Sequence, residues 1–199
     1  MEFNMKHILL INTSLNQDNG NSSELANQLV QHLSLKYQAT VDKQDLSTHD
    51  LPHLTSAEMS AWMTEPNERT EVQQALAEIS DTYIAQVKRA DTIVIGMPMY
   101  NFGVPSTFKA WVDRIARAGV TFEYTAEGPK GLLQHKKVIV VAARGGVYQG
   151  TPMDTQTNYL KDFFGFLGIT EVEFIYAEGL AMPSKEESLT AAKSAIQQY

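Results

Sequence analysis

The chain has 199 residues, of which 43% are hydrophobic, and it carries a formal net charge of -7 at pH 7. This length is enough for one large domain, which we expect to cover residues 1–199. The acidic balance argues against a general affinity for nucleic acid or anionic membranes. The absence of cysteine excludes disulfides and thiol nucleophiles. The apolar run at residues 8–11 is too short to span a bilayer and nothing before it resembles a signal peptide, so we expect a cytoplasmic protein.

Five segments have the apolar patterns of β-strands. Continuous runs rich in β-branched residues occur at residues 8–11, 93–95 and 138–143. Such runs are typical of parallel strands that helices cover on both faces. Residues 39–42 and 172–174 instead alternate between apolar and polar side chains. This alternation indicates edge strands with one face toward solvent.

Amphipathic helical patterns separate these strands, and each has apolar residues at helical spacing. The stripes are Leu25, Leu29 and Leu33; Val72, Leu76, Ile79, Tyr83 and Val87; Phe108, Trp111, Val112 and Ile115; Leu160, Phe163, Phe164 and Leu167; and Leu189 and Ile196. Five strands alternating with five helices, joined by right-handed crossovers, predict an α/β three-layer sandwich. With the alternating strands outermost, the five-stranded parallel sheet has the flavodoxin-like order 2-1-3-4-5. Ligands of such sheets bind at the carboxyl ends of the central strands.

Two stretches, residues 47–69 and 119–134, are longer than simple connections require. The first contains Met59, Trp62 and Met63, which allow a short extra helix. Long segments in a compact domain usually serve binding, act as lids or mediate association, although they can also be surface padding.

The segment after the first strand, residues 14–22, is named the phosphate loop here. It lacks both the three spaced glycines of a dinucleotide site and the lysine of a Walker motif. It does offer hydroxyls, amides and Gly20 ahead of a helix, where free N–H groups and the helix dipole can hold a phosphate without any lysine. A plain polar loop with Asn21 or Ser22 as the N-cap is the alternative.

Two further loops follow the other central strands. The aromatic loop, residues 96–106, has the composition expected of a cover for a flat ligand. The glycine loop, residues 143–148, contains Gly145 and Gly146, which let the backbone approach a ligand and point N–H groups at it. Paired glycines also occur in ordinary turns. Taken together, the three loops would suit a planar heterocycle with a terminal phosphate, and FMN is such a molecule.

Several strings of residues resemble one family. They lie at residues 98–102, 117–122 with Tyr124, Gly128 and Pro129, 144–146, 164–169 and 177–179. At these positions the chain resembles the FMN-dependent NADH azoreductases, which are also NADH:quinone oxidoreductases. The resemblance implies tightly bound FMN, one per subunit, and a homodimer with active sites at the subunit interface.

The resemblance also implies a set of FMN contacts. They are Ser14, Gly20, Asn21, Ser22, Met99, Tyr100, Asn101, Phe102, Ala143, Arg144, Gly145 and Gly146. The chain departs from the family at Ala143, where relatives carry a hydroxyl residue. If this position contacts flavin through its backbone, the departure has little effect; otherwise FMN affinity or potential would shift.

The expected reaction is a ping-pong transfer of hydride from NADH or NADPH to quinones, with reductive cleavage of aromatic azo compounds to amines. Phe102, Phe122, Tyr124 and Phe164 are candidates for stacking on the substrate, and a core role is equally open for Phe164. No catalytic side chain and no metal site is predicted, although Tyr124 or Tyr148 could donate a proton. The alternatives are an electron carrier, a flavin reductase that releases its flavin, and a binding protein of the same fold.

Overall fold

The structure is a computed structural model that describes residues 6–48 and 51–199. Residues 1–5, part of the expected domain, and residues 49–50, part of the first long segment, lie outside the described residues. The strands are β1 (His7–Asn12), β2 (Thr40–Asp45), β3 (Thr92–Pro98), β4 (Phe122–Thr125), β5 (Gly128–Gly131), β6 (Lys137–Ala143) and β7 (Glu171–Ala177). The helices are α1 (Asn21–Tyr37), α2 (Ser56–Met63), α3 (Glu71–Arg89), α4 (Ser106–Ile115), α5 (Thr155–Phe166) and α6 (Lys185–Ile196).

Five strands form one parallel sheet in the order β2-β1-β3-β6-β7. Counting only these strands along the chain, the order is 2-1-3-4-5, and the prediction of a five-stranded parallel sheet is confirmed. The labels differ because β4 and β5 pair with each other in a separate antiparallel hairpin. This hairpin was not predicted, since each of its strands has four residues, too few for a clear periodic pattern.

The burial of the strands follows the sequence pattern. Strand β3 is buried along its whole length, and β1 and β6 are buried except at their first residue. The edge strands β2 and β7 keep partly exposed or exposed positions. A strand between two others in a parallel sheet has helices on both faces, whereas an edge strand is covered less completely.

The sheet separates two apolar cores. Leu9 and Ile11 of β1 point into the core formed with α3, α4 and α5. Ile8 and Leu10 point into the core formed with α1 and α6. Successive side chains of a strand face opposite sides, so one continuous apolar run can serve both cores. None of the helices in the described part of the chain combines the length and apolar character needed to cross a bilayer.

A buried ion pair fastens α2, the extra helix of the first long segment. Both nitrogens Nε and Nη2 of Arg114 in α4 donate to the Glu58 carboxylate, at 2.9 and 2.8 Å. Arg114 also donates to the carbonyls of Pro52 and Ala110. Neither charged side chain is more than 2% exposed. The pair therefore holds this segment against the α3–α4 side of the sheet with its charges compensated.

We expect Glu58→Gln to lower the free energy of unfolding by about 3–5 kcal/mol, because it leaves the Arg114 guanidinium buried without a counter-charge. Urea unfolding at neutral pH measures this. The control is Asp42→Asn, which breaks the exposed pair of Asp42 with Arg89 and should cost less than about 1 kcal/mol. Equal losses in the two variants would contradict the interpretation.

Candidate functional site

The carboxyl ends of β1, β3 and β6 line one cavity of about 230 Å³, which is called the main cavity here because all three loops border it. Its lining includes residues from all three loops singled out in the sequence, together with two residues that follow β7. They are Ser14, Asn16, Gly20, Asn21, Ser22, Pro98, Met99, Tyr100, Ala143, Arg144, Gly145, Leu180 and Ala181. Nine of the twelve predicted FMN contacts are in this set, and Asn101, Phe102 and Gly146 are outside it.

The phosphate loop presents uncapped helix amides to this cavity. Helix α1 begins at Asn21 with Gly20 as its N-cap residue, and no side chain caps it. The alternative with Asn21 or Ser22 as N-cap is therefore wrong. The first amides of a helix have no intrahelical acceptor, so they remain available to an anion. The Ser22 hydroxyl is also buried without a partner.

Gly20 makes this arrangement sterically possible. A Cβ atom at this position would lie 2.2 Å from the Ser14 hydroxyl oxygen, so any larger residue would displace Ser14. The Ser14 hydroxyl in turn accepts a hydrogen bond from the amide of Asn16 at 3.2 Å. The loop is thus folded tightly around the helix start, and its donor groups fit a phosphate.

Two contacts bring the three loops together. The Tyr100 hydroxyl accepts from the amide of Leu15 at 3.1 Å and lies 3.5 Å from the Ser14 hydroxyl, which joins the aromatic loop to the phosphate loop. The amide of Met99 donates to the carbonyl of Ala143 at 3.1 Å, which joins the aromatic loop to the glycine loop. The predicted convergence of the loops is therefore present in the fold.

The aromatic loop contains a tight turn in an unusual conformation. Tyr100 and Gly103 exchange two backbone hydrogen bonds, and the two residues between them have positive φ angles of 49° (Asn101) and 60° (Phe102). This is the pattern of a type I′ turn, which normally selects asparagine and glycine. A positive φ at an aromatic residue costs about 1–3 kcal/mol and such strain concentrates at functional sites.

The turn presents the Phe102 ring at the surface. The residue is 48% exposed, and its ring meets the edge of the Tyr148 ring at a centroid distance of 5.7 Å. Phe102 lines a second cavity of about 370 Å³ with Thr155 and Tyr159. Asn101 lines a third, of about 590 Å³, that shares Met99 and Tyr100 with the main cavity.

The glycine loop uses its carbonyl groups internally and leaves two amides free. The carbonyls of Arg144, Gly145 and Gly146 accept hydrogen bonds from the amides of Leu180, Ala181 and Gly179, at 3.1, 3.0 and 2.9 Å. Among the described residues, no acceptor takes the N–H groups of Gly145 and Gly146. A Cβ atom on Gly146 would lie 2.6 Å from the Tyr148 ring, so this backbone also has to remain bare. The predicted donor pair is therefore available to a ligand.

The side chain of Arg144 does not face the cavity. It is fully buried and forms ion pairs with Asp154 at 2.9 Å and Glu178 at 3.0 Å. Burial opposes the charge of Asp154, but hydrogen bonds from Thr157 and Arg144 outweigh it and hold the pKa of this carboxyl below its ordinary value. Arg144 thus offers the cavity its backbone, and its charge is neutralised inside the protein.

Three residues beside the glycine loop were not predicted as site residues, although one of them, Glu178, lies in a string that resembles the family. The Glu178 carboxylate accepts from the amides of Tyr148 and Gln149, both at 3.0 Å, and Leu180 and Ala181 complete the cavity wall. All of them follow or border β7, the neighbour of β6. The adjacency of the last two strands in the expected sheet order was a signal that could have pointed to them.

The candidate stacking residues are dispersed. Tyr124 is 76% exposed on the β4–β5 hairpin, whereas Phe122 is 7% exposed and packs on Phe166 with centroids 4.4 Å apart. Phe164 belongs to α5, has no exposed surface and lies in the core that α3, α4 and α5 form with the sheet, which supports its core role. Of the four, Phe102 lies at the cleft, the name used here for the main cavity together with the two cavities beside it. No described residue of segments 47–69 or 119–134 lines the main cavity.

Comparisons with known proteins agree with this geometry. Residues 6–199 match the family model described as the flavodoxin-like fold. Proteins named FMN-dependent NADH:quinone oxidoreductase are similar to the chain. The one from Pseudoalteromonas atlantica is 56% identical over 178 residues, 89% of this chain and 88% of the relative. The one from Alcanivorax borkumensis is 53% identical over 193 residues, 96% of this chain and 98% of the relative.

Among solved structures, an FMN-dependent NADH-azoreductase from Bacillus anthracis in complex with FMN superposes with a TM-score of 0.88. The two chains are 29% identical, and the match covers 98% of this chain and 97% of that one. A second azoreductase structure from the same organism gives a TM-score of 0.87 at 28% identity, over 98% of this chain and 100% of that one. The chain therefore belongs to the family of the FMN-dependent NADH:quinone oxidoreductases, which have the flavodoxin-like fold.

Proposed function

We propose that this protein binds FMN in the main cavity and uses it to transfer hydride from NADH to quinones and aromatic azo compounds. One observation carries the proposal: three loops at the ends of adjacent strands converge on a cavity that offers backbone donors for an anion at one side and the free amide of Gly145, followed in the chain by that of Gly146, at the other. The names of the similar proteins, which mention FMN, NADH and quinone or azo reduction, support the same activity.

The residues present fit this cofactor. The uncapped start of α1, the bare backbone at Gly20 and the unpartnered Ser22 hydroxyl suit the phosphate. Met99 and Tyr100 would border the flat part of the molecule. The Ala143 side chain has no polar atom and the residue is 7% exposed. Its carbonyl accepts a hydrogen bond from the amide of Met99. The absence of the hydroxyl that relatives carry at this position therefore removes one potential contact to FMN.

When bound, FMN would supply the hydride chemistry, in two half-reactions at one site as a ping-pong cycle. The protein would position the reactants and stabilise charge. The free N–H groups of Gly145 and Gly146 would donate to negative charge on the reduced ring system. Phe102 would offer a hydrophobic face to the nicotinamide or the acceptor. Of the two proposed proton donors, Tyr148 is the one beside the cleft, because its ring contacts Phe102. Tyr124 lies on the β4–β5 hairpin.

The proposal includes a homodimer with the active site at the subunit interface. Several apolar side chains near the cleft are exposed in the single chain. They are Leu15, Phe102, Val147, Met153 and Met182, each between 47% and 63% exposed. A second copy would remove this apolar surface from water. Tyr124 on the hairpin is 76% exposed and would be available for contact with a second copy. A cytoplasmic location belongs to the same proposal.

An electron carrier is the second candidate, because no described residue of the two long segments lines the main cavity. Mixing the FMN-loaded protein with NADH without oxygen separates the two functions. We expect rapid loss of the yellow colour and its return when a quinone is added. Colour that survives NADH would favour the carrier, and a protein that takes up no FMN would contradict both.

We expect Phe102→Ala to lower turnover or FMN affinity roughly tenfold, because it removes the stacking face beside the cleft. Steady-state kinetics and a fluorescence titration with FMN measure the two quantities. Phe102→Tyr retains the ring and is the control. Wild-type values for the alanine variant would remove this residue from the site.

We expect Gly145→Val to weaken FMN binding at least about tenfold by placing a side chain beside the donor pair. The fold should persist, because a Cβ atom at this position makes only an ordinary contact, 3.5 Å from the Cβ atom of Ala181. Gly165→Ala in α5, where an added Cβ meets nothing within 4 Å, is the control. Normal FMN affinity in Gly145→Val would contradict the role of these amides.

A further inference from the structure

The first turn of α5 lies behind the aromatic loop and the glycine loop and forms hydrogen bonds to both of them. Gln156 is 1% exposed. Its side-chain nitrogen donates to the carbonyls of Pro98 and Gly103, both at 2.9 Å. Its side-chain oxygen accepts from Nε of Arg144 at 3.2 Å. One buried side-chain amide thus connects the end of β3 and the last residue of the turn at residues 100–103, called the Phe102 turn here, with the first part of the glycine loop.

The residues on either side of Gln156 extend this connection. The Thr155 hydroxyl donates to the carbonyl of Phe102. Asp154, whose side chain accepts from the amide of Thr157 at the start of α5, also pairs with Arg144. Three consecutive residues at a helix start therefore bond to main-chain or side-chain atoms of both loops. A helix start is more rigid than a loop, so it can set the distance between two loops that are not bonded to each other at these points.

We propose that Gln156 is a positioning residue that couples the Phe102 turn to the glycine loop. The inference rests on the proposed function, because the turn and the loop are the parts assigned to the ring system of FMN. Gln156 does not line the main cavity. It holds the carbonyls of Pro98 and Gly103 on one side and the side chain of Arg144 on the other. The Phe102 ring and the Gly145–Gly146 donor pair thereby keep one fixed spacing.

The strained turn gives this coupling a physical reason. Two successive residues with positive φ are retained only where the surroundings over-determine the conformation. Here the carbonyls of Phe102 and Gly103 are each held by a side chain of α5. Without these bonds the turn would be free to relax toward an ordinary conformation, and the Phe102 ring would leave its position at the cleft.

The test uses the whole protein and hydrogen exchange before FMN is added. The amides of Tyr100 and Gly103 report on the turn. The amides of Tyr148 and Gln149, which donate to Glu178, report on the glycine loop. Gln156→Met removes the side-chain amide. We expect it to speed hydrogen exchange of both pairs of backbone amides at least about tenfold and to weaken FMN binding by a similar factor.

Two further variants separate the two halves of the connection. Gln156→Glu retains an oxygen for Arg144 but loses the donors, so exchange should increase in the turn and stay unchanged in the glycine loop. Thr155→Val removes the bond to the Phe102 carbonyl and should also loosen the turn alone. These variants keep the test decisive if Gln156→Met does not fold.

The control is Ser80→Ala. Ser80 is equally buried and its hydroxyl donates to the carbonyl of Arg114 at 2.6 Å, which lies away from the cleft. The Ser80→Ala variant should have lower global stability, without a selective change in the hydrogen exchange of either loop or in FMN affinity. Wild-type exchange at Tyr100 and Gly103 in the Gln156 variants, or the same pattern in Ser80→Ala, would overturn the inference. A wild-type protein that binds no FMN would instead refute the proposed function and leave the exchange result standing.

Discussion

Parallel pairing places the carboxyl ends of β1, β3 and β6 at one edge of the sheet, and the candidate site depends on this constraint. Each strand must be followed by a crossover, so each of these ends opens into a loop that leads to a helix. The register holds Asn12 of β1 beside Gly96 of β3, and Pro98 of β3 beside Ala143 of β6. Loops that are distant in the chain therefore emerge within hydrogen-bonding distance of one another.

The cavity offers an anion main-chain donors in place of basic side chains. In an acidic chain this solution has a clear advantage, because helix amides and glycine N–H groups keep their direction without attracting other anions to the surface. Arg144, the one arginine among the described residues that line the cavity, is paired with two partly buried carboxylates. Its charge shapes the loop from behind and is not presented to a ligand.

Buried polar groups hold the segments that apolar packing alone would leave undetermined. Apolar contacts depend on area and have little directionality, so they do not fix how a loop is folded. The bidentate pair of Arg114 with Glu58 positions α2, and the network of Arg144, Asp154, Gln156 and Glu178 positions the loops at the cleft. Such networks are costly when incomplete, and here their charged members are matched.

The local sequence pattern determined the elements of the sheet, because strand and helix periodicity reflect burial on one face or two, which neighbouring residues already encode. It also identified the three loops, since each follows directly after a buried strand. The hairpin of β4 and β5 has no such local signal, because its four-residue strands are too short for a periodic pattern.

Only the tertiary structure decided which side chains meet. Phe122 and Phe164 have the same residue type as Phe102, yet they pack inside while Phe102 stands in a strained turn at the cleft. Arg144 lies in a ligand-binding loop by sequence and turns its charge inward. Gln156 has no distinguishing neighbour in the chain, and its role depends on partners that are 12, 53 and 58 residues away. Contacts at such separations follow from the packing of whole elements, which no local pattern contains.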